Sequence, residues 1–245
     1  MGRADGPRSR SRTRRLRLAC ALGVVGLIGI VAVATPAHAQ LGATIAVESD
    51  YRYRGVSLSD SRPRERLTLN YDAPRDWYAG ASLTRATLAF LDTYVQATGY
   101  AGWVTRAENG RSFELGVQAT HFAGVSGYDF AELYAGVLAE RWSARAYLSP
   151  DYYGRHVRAG YAELDAHRPF GASARVFAHA GVLVPLGGGE GDARRARLDV
   201  SAGAGYVVGG WDLHLSAVVA TRRGPYPAVY SGRRAAIVVG ASWSL

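Results

Sequence analysis

The sequence predicts an all-β protein, an antiparallel up-and-down transmembrane β-barrel of about twelve strands behind a cleaved signal peptide. Three observations predict it. The first 39 residues have the layout of a secretory leader. The rest of the chain alternates apolar and polar side chains with period two as far as its final residue. The connections between the alternating segments are short and long by turns.

The leader comes first. Arg3, Arg8, Arg10, Arg12, Arg14, Arg15 and Arg17 stand against Asp5 alone, an apolar run from Ala19 to Ala34 follows, and Ala37-His38-Ala39 offers small residues to a peptidase cutting before Gln40. An apolar core of about 16 residues is short for a spanning helix. Arg14-Arg15 resembles a twin-arginine signal only as far as an arginine-rich segment produces such pairs by chance. Cys20, the only cysteine, precedes the apolar core and is badly placed for lipid attachment. The expected division is therefore a signal peptide at 1–39 and a barrel domain at 40–245 without disulfide or thiol ligand. Of the net charge of +9, the leader holds +6, seven arginines less one aspartate. The exported part keeps 22 basic and 19 acidic residues, and a nucleic-acid partner loses its main support.

Past Gln40 no apolar stretch approaches the roughly 18 residues of a spanning helix, so the exported chain is either soluble or a barrel. Its opening segment places Ile45, Val47, Tyr51 and Tyr53 on one face and Glu48, Asp50, Arg52 and Arg54 on the other. Further segments are expected near 64–72, 77–86, 91–103, 112–122, 129–139, 142–150, 155–164, 171–184, 195–208, 211–221 and 233–245. A soluble sandwich turns the apolar face inward and a membrane barrel turns it outward, and periodicity does not choose between them.

The connections and the tryptophans favour the membrane. Asp72–Asp76, Val104–Arg111, Glu140–Arg141, Asp165–Phe170 and Gly209–Gly210 are mostly short, whereas Gly55–Pro63, Pro185–Arg194 and Arg222–Gly232 are longer. Outer-membrane barrels have short periplasmic turns and longer outer loops. With the amino terminus in the periplasm, Trp77, Trp142 and Trp211 open outward-running strands and Trp103 and Trp243 end inward-running ones, which gathers all five into an aromatic girdle at the periplasmic rim. On this reading Tyr51 and Tyr53 meet the outer lipid interface, and Arg52 and Arg54 point into the lumen.

The stretch SDYRYRGVSLSDSRP, Ser49 to Pro63, followed by DWYAGASL, resembles the opening of the TorF-type porin family, in which a strand ends in an S-D-Y-x-x-R-G-x-S pattern. Ser49, Asp50, Tyr51, Arg54, Gly55, Ser57, Pro63, Trp77, Tyr78, Ala79 and Gly80 match, and so does ELYAGVLAE from Glu132 to Glu140. The resemblance implies an outer-membrane channel with no substrate assigned to the family at large. The chain departs from the usual aromatic carboxyl terminus by ending in Leu245, so recognition by the barrel assembly machinery is expected to rest on Trp243 of the last strand.

Other motifs carry less. His214 and Ser216 share a strand face, as a base and nucleophile must, but Ala217 follows where outer-membrane lipid hydrolases have asparagine, and the pair is expected inside, away from lipid. Gly187–Asp192 reads as a flexible loop tip. His121, His156, His167 and His179 lack metal-ligand spacing, so no metal or cofactor is expected.

Parity assigns the lumen Arg52, Arg54, Arg66, Arg145, Arg158, Arg175 and Arg197 against Glu48, Asp50, Glu114, Glu132, Asp199 and Asp212. These pore-lining charges either pair across the lumen or face permeating solutes. Twelve strands lie between an eight-stranded barrel filled by its own side chains and a sixteen-stranded open channel, so the pore is expected to be narrow. The leading expectation is a passive, non-catalytic channel for small polar or charged solutes, with outer-membrane lipids and the assembly machinery as its other partners. The alternatives are a non-conducting structural or interaction barrel and, behind it, a lipid hydrolase.

Overall fold

Alternation about an extended backbone gives each segment two chemically different faces, and joining the segments edge to edge lets both faces of the sheet find a solvent. A computed structural model describes residues 40–74, 76–88, 92–221, 224 and 234–245. The predicted leader, with Cys20, and all of the predicted loop 222–232 except Gly224 lie outside the described residues.

The strands are β1 (Gln40–Glu48), β2 (Arg52–Tyr53), β3 (Val56–Ser57), β4 (Arg64–Asp72), β5 (Trp77–Thr87), β6 (Thr93–Arg106), β7 (Ser112–Phe122), β8 (Phe130–Leu138), β9 (Trp142–Ser149), β10 (Val157–Phe170), β11 (Ala174–Gly188), β12 (Arg197–Val208), β13 (Trp211–Ala220) and β14 (Ala235–Ser244). Among the described residues twelve of them form a closed antiparallel barrel with each strand beside its neighbour in the chain, while β2 and β3 make a separate hairpin. Closure runs through β1, where Thr44 stands opposite Ser244 on β14 and opposite Thr68 on β4.

The two faces differ as a membrane requires. Val47 is 47% exposed on the outside, whereas its neighbour Ala46 is 7% exposed on the inside. Leu67, Leu115, Leu133, Leu215 and Val239 continue the outer apolar surface, a face suited to lipid and not to water. The short turns lie at one end with both strand termini, and the longer loops lie at the other. Trp77 pairs with Trp103 and Trp211 with Trp243 in register, and with Trp142 they stand exposed at the turn end.

Three expectations are corrected. The first concerns Tyr51 and Tyr53, which do not reach the lipid interface: β1 leaves the wall after Glu48, Tyr51 is buried at 6%, and the hairpin folds into the lumen. Alternation continues past the wall because β2 is itself extended, so the sequence pattern does not mark the departure. The second concerns Asp165–Phe170, which is the end of β10, paired with β11 as far as Phe170 opposite Ala174, and not a turn. The third concerns Arg158, which lies exposed on the exterior, because Val157, Ala159 and Tyr161 point inward. Ala159 and Tyr161 belong to an apolar core at the loop end of the lumen, formed with Leu58, Phe122, Phe130, Tyr152, Tyr153 and Leu183, and Val157, two residues before Ala159, is fully buried as well. There the apolar-out rule reverses.

On the exterior, Arg85 reaches Glu65 at 2.5 Å, and Glu65 stands opposite Val47 in register. Tolerance of charge there is the mark of an interface, whereas Leu215 lies midway along β13. Leu215→Arg should therefore lower folding stability in liposomes by about 2–4 kcal/mol and Val47→Arg by about 0–1 kcal/mol, read from urea titrations followed by heat-modifiable gel mobility. Luminal Glu48→Arg should fold like the parent.

Candidate functional site

The hairpin begins at a carboxylate. Asp50, 3% exposed, accepts hydrogen bonds from Ser57 Oγ (2.5 Å), Ser59 Oγ (2.9 Å) and Arg52 Nε (2.7 Å), which ties the two ends of the segment together. Arg52 is opposite Ser57 and Tyr53 opposite Val56, leaving Arg54 and Gly55 as a two-residue turn with φ of 49° and 74°. Positive φ at both central positions matches the right-handed twist of a tight hairpin, and glycine at the second adopts it without strain.

This turn crosses the barrel. On one side Gly55 abuts the wall so closely that a Cβ would stand 2.6 Å from Cβ of Asp199 and 2.8 Å from that of Ala220. On the other, Arg54 donates from both terminal nitrogens to the two oxygens of Glu132 on β8, each at 2.8 Å. Its guanidinium lies 4.1 Å from the centroid of Tyr161, 4.9 Å from those of Tyr53 and Tyr147, and 5.4 Å from that of Tyr152. Gln118 donates to Glu132 at 2.7 Å and Tyr53 at 3.2 Å, so the buried carboxylate is satisfied as well as paired. Removal of one partner from such a pair typically costs about 3–5 kcal/mol. Tyr51, Val56 and Leu58 seat the rest of the segment in the loop-end core, and burial raises the Tyr51 phenol above its ordinary value, keeping it neutral.

Below the hairpin the lumen is lined by tyrosines standing over glycines of the adjoining strand. Tyr134 lies directly opposite Gly116, where a Cβ would come within 2.4 Å of the ring. Tyr78 joins Tyr134 at 2.7 Å and donates to Glu114 at 2.8 Å, and Glu114 pairs with Arg145. This fills most of the β5–β9 half.

The other half is open. A cavity of about 480 Å³ lies between the hairpin, at Asp50, Arg52 and Arg54, and a wall that carries Glu163, Arg175, His179, Asp199 and His214. A second cavity of about 440 Å³ shares Arg175, Phe177 and His179 with it and reaches Leu138 and Ser143 in the turn-end half.

Of the predicted charges, Glu48 pairs with Arg66 at 3.4 Å and Arg175 with Asp212 at 2.8 Å, while Arg197 is buried at the loop end of β12. Asp199 accepts from Tyr161 at 3.2 Å and faces His179 at 3.0 Å. The sequence reading missed Glu163, Asp165 and the luminal role of His179; correct inward parity from Tyr161 along β10 and from Arg175 along β11 would have found them. Donor atoms of Glu163, Asp165 and His179 lie within 4.8 Å of one another, but both imidazole nitrogens already face carboxylates, Asp165 at 2.8 Å and Asp199 at 3.0 Å. The group is a hydrogen-bonded luminal cluster. His214 and Ser216 also face inward, and His214 packs edge-on against Phe177 with centroids 6.3 Å apart.

Comparison with known proteins identifies one family and one fold. The chain belongs to the family described as "Bacterial protein of unknown function (Gcw_chp)", whose model matches residues 32–183, more than half of the sequence. No curated protein matches. The NanC porin is similar in structure, with a TM-score of 0.54, 10% identity and coverage of 84% of this chain and 100% of that one. The KdgM porin in complex with disordered oligogalacturonate gives a TM-score of 0.52 at 10% identity, covering 84% of this chain and 98% of that one. The porin-like barrel, its apolar exterior and its aromatic rim place the chain in the outer membrane.

The tight fit of the turn gives a direct expectation. Gly55→Val must clash with the wall and adopt an unfavourable φ, so the hairpin should leave its seat while the barrel stays closed. Trypsin should then cut after Arg52 or Arg54 in folded, heat-modifiable protein, and should leave those bonds intact in the parent.

Proposed function

We propose that this member of the Gcw_chp family is a channel for passive diffusion of small polar or charged solutes, with the docked hairpin as its constriction. The observation that carries the reading is a pair of adjoining cavities, one beside the hairpin and one towards the turn end, which share Arg175, Phe177 and His179 and extend the open half of the lumen. Charge of both signs lines this half. Arg52, Arg54 and Arg175 are engaged by carboxylates, and Glu163, Asp165 and Asp199 gather around one histidine. Such a lining favours small dipolar or singly charged solutes. The KdgM porin is described with an oligogalacturonate; a polyanion would find few unengaged arginines here. The TorF-type resemblance belongs to the same proposal, since Ser57 and Asp50 tie the hairpin, Arg54 anchors it and Gly55 turns it. The same holds for the periplasmic placement of the short turns, for contact with outer-membrane lipids, and for recognition by the assembly machinery through Trp243.

One observation favours a non-conducting barrel: the luminal charges largely satisfy one another, and most of the β5–β9 half is filled. Planar-bilayer recording separates the two. The folded parent should open in small steps, and a variant with Arg52–Ser57 replaced by two glycines should open in larger ones. Glu163→Gln with Asp165→Asn should move the reversal potential under a salt gradient towards anion preference, and Arg175→Ala should move it towards cations. A folded barrel that gives no steps with or without the hairpin would establish the non-conducting reading.

A further inference from the structure

Arg158 is the one predicted luminal charge that the fold turns outward, and its surroundings there are unlike those of the exterior Arg85. Arg85 is held by Glu65, whereas Arg158 has no ion-pair partner among the described residues. Its guanidinium lies against Gly187 of β11, where a Cβ would stand 2.7 Å from the terminal nitrogen. An unpaired arginine on the outer face of a barrel is tolerated only near the interface, where it can meet a headgroup.

Beside it the exterior is concave. A groove of about 780 Å³ crosses β6 to β10, with a floor of Gly99, Ala101, Ala119 and Ala131 and with Leu133, Leu148 and Leu186 along it. Its course follows one outward-facing row. Ala101 is opposite Val117, Val117 opposite Leu133, Leu133 opposite Leu148, and Leu148 opposite Gly160. The row starts midway along β6 and ends three residues from the loop end of β10, so it climbs from the bilayer interior to the outer surface. Four interstrand spacings of about 4.8 Å give a trough about 19 Å long, on the scale of an extended acyl chain.

A second exterior groove, about 860 Å³ over β11 to β14, has no comparable cation. Its basic lining residues, Arg175 and His214, face the lumen. The two grooves differ in the group that would select a headgroup.

We propose that the β6–β10 groove binds one phosphorylated lipid of the leaflet at the loop end, a lipid A-type glycolipid, with an acyl chain on Gly99, Ala119 and Ala131 and a phosphate on Arg158. Guanidinium and phosphate match in charge and in fork geometry, and the small floor residues admit a chain that larger side chains would exclude. The second groove takes only exchanging bulk lipid.

Native mass spectrometry of the full folded barrel, titrated with bisphosphorylated lipid A and with its dephosphorylated form, tests this. The parent should retain one bisphosphorylated molecule. Arg158→Ala should weaken retention about tenfold, the loss of one charge-assisted hydrogen bond, while Arg158→Lys should keep most of it. Ala119→Leu with Ala131→Leu, checked for heat-modifiable mobility, should abolish it. Dephosphorylated lipid A should bind parent and Arg158→Ala alike and weakly. Equal retention by parent and Arg158→Ala, no preference for the phosphorylated form, or a second copy of the chain held in place of lipid would each overturn the proposal.

Discussion

The pairing of Arg54 with Glu132 constrains more of this molecule than any other contact. A guanidinium and a carboxylate withdrawn from water are tolerable only together and fully hydrogen-bonded. Arg54 therefore cannot leave Glu132, and its place in the chain, at the turn of a two-residue hairpin, brings the whole of β2 and β3 into the lumen with it. Four tyrosine rings around the cation supply the low-dielectric surroundings in which cation–π attraction reaches about 2 kcal/mol. The same rings explain why tyrosines of β9 and β10 face inward where a barrel wall elsewhere places small or charged residues.

Consequences spread from that anchor in both directions. Towards the loops, Tyr51, Val56 and Leu58 fill space beside Phe122, Phe130 and Tyr153, so the outer mouth has an apolar core of its own. Towards the turns, luminal tyrosines seated over glycines close most of the β5–β9 half without strain in the wall. What is left is an off-centre cavity along β10 to β14, bounded by the hairpin on one side and by Glu163, Arg175, His179 and Asp199 on the other. A twelve-stranded barrel thus becomes narrow through a segment that is not part of its sheet.

The wall was legible in the sequence because period-two alternation and outward leucines and valines are imposed at every strand by lipid, a uniform solvent. β4 and β7 begin and end where alternation says they do. The interior was less legible because its solvent changes along the axis. Val157 and Ala159 look lipid-facing by hydrophobicity, yet both are buried inside, Ala159 in the core that holds Tyr152 and Tyr153, and this reversal misplaced Arg158. Tyr51 and Tyr53 were misread for a related reason: alternation reports an extended backbone and carries no information about whether that backbone stays in the wall. The serine, aspartate and arginine pattern from Ser49 to Ser57 did mark the site, but the bond from Arg54 to Glu132 spans 78 residues and has no local signature.

Thiol accessibility tests the position of the hairpin inside the barrel most directly. Residues 40–245 contain no cysteine, so Val56→Cys places a single thiol in β3, at a position 3% exposed in the loop-end core, and Arg62→Cys gives an exposed control in the same segment. In the folded protein in outer membranes a water-soluble maleimide should label the control and leave position 56 unlabelled until the barrel is unfolded by heat. Labelling of Val56→Cys as fast as the control in a fully folded barrel would mean that the hairpin lies outside the lumen.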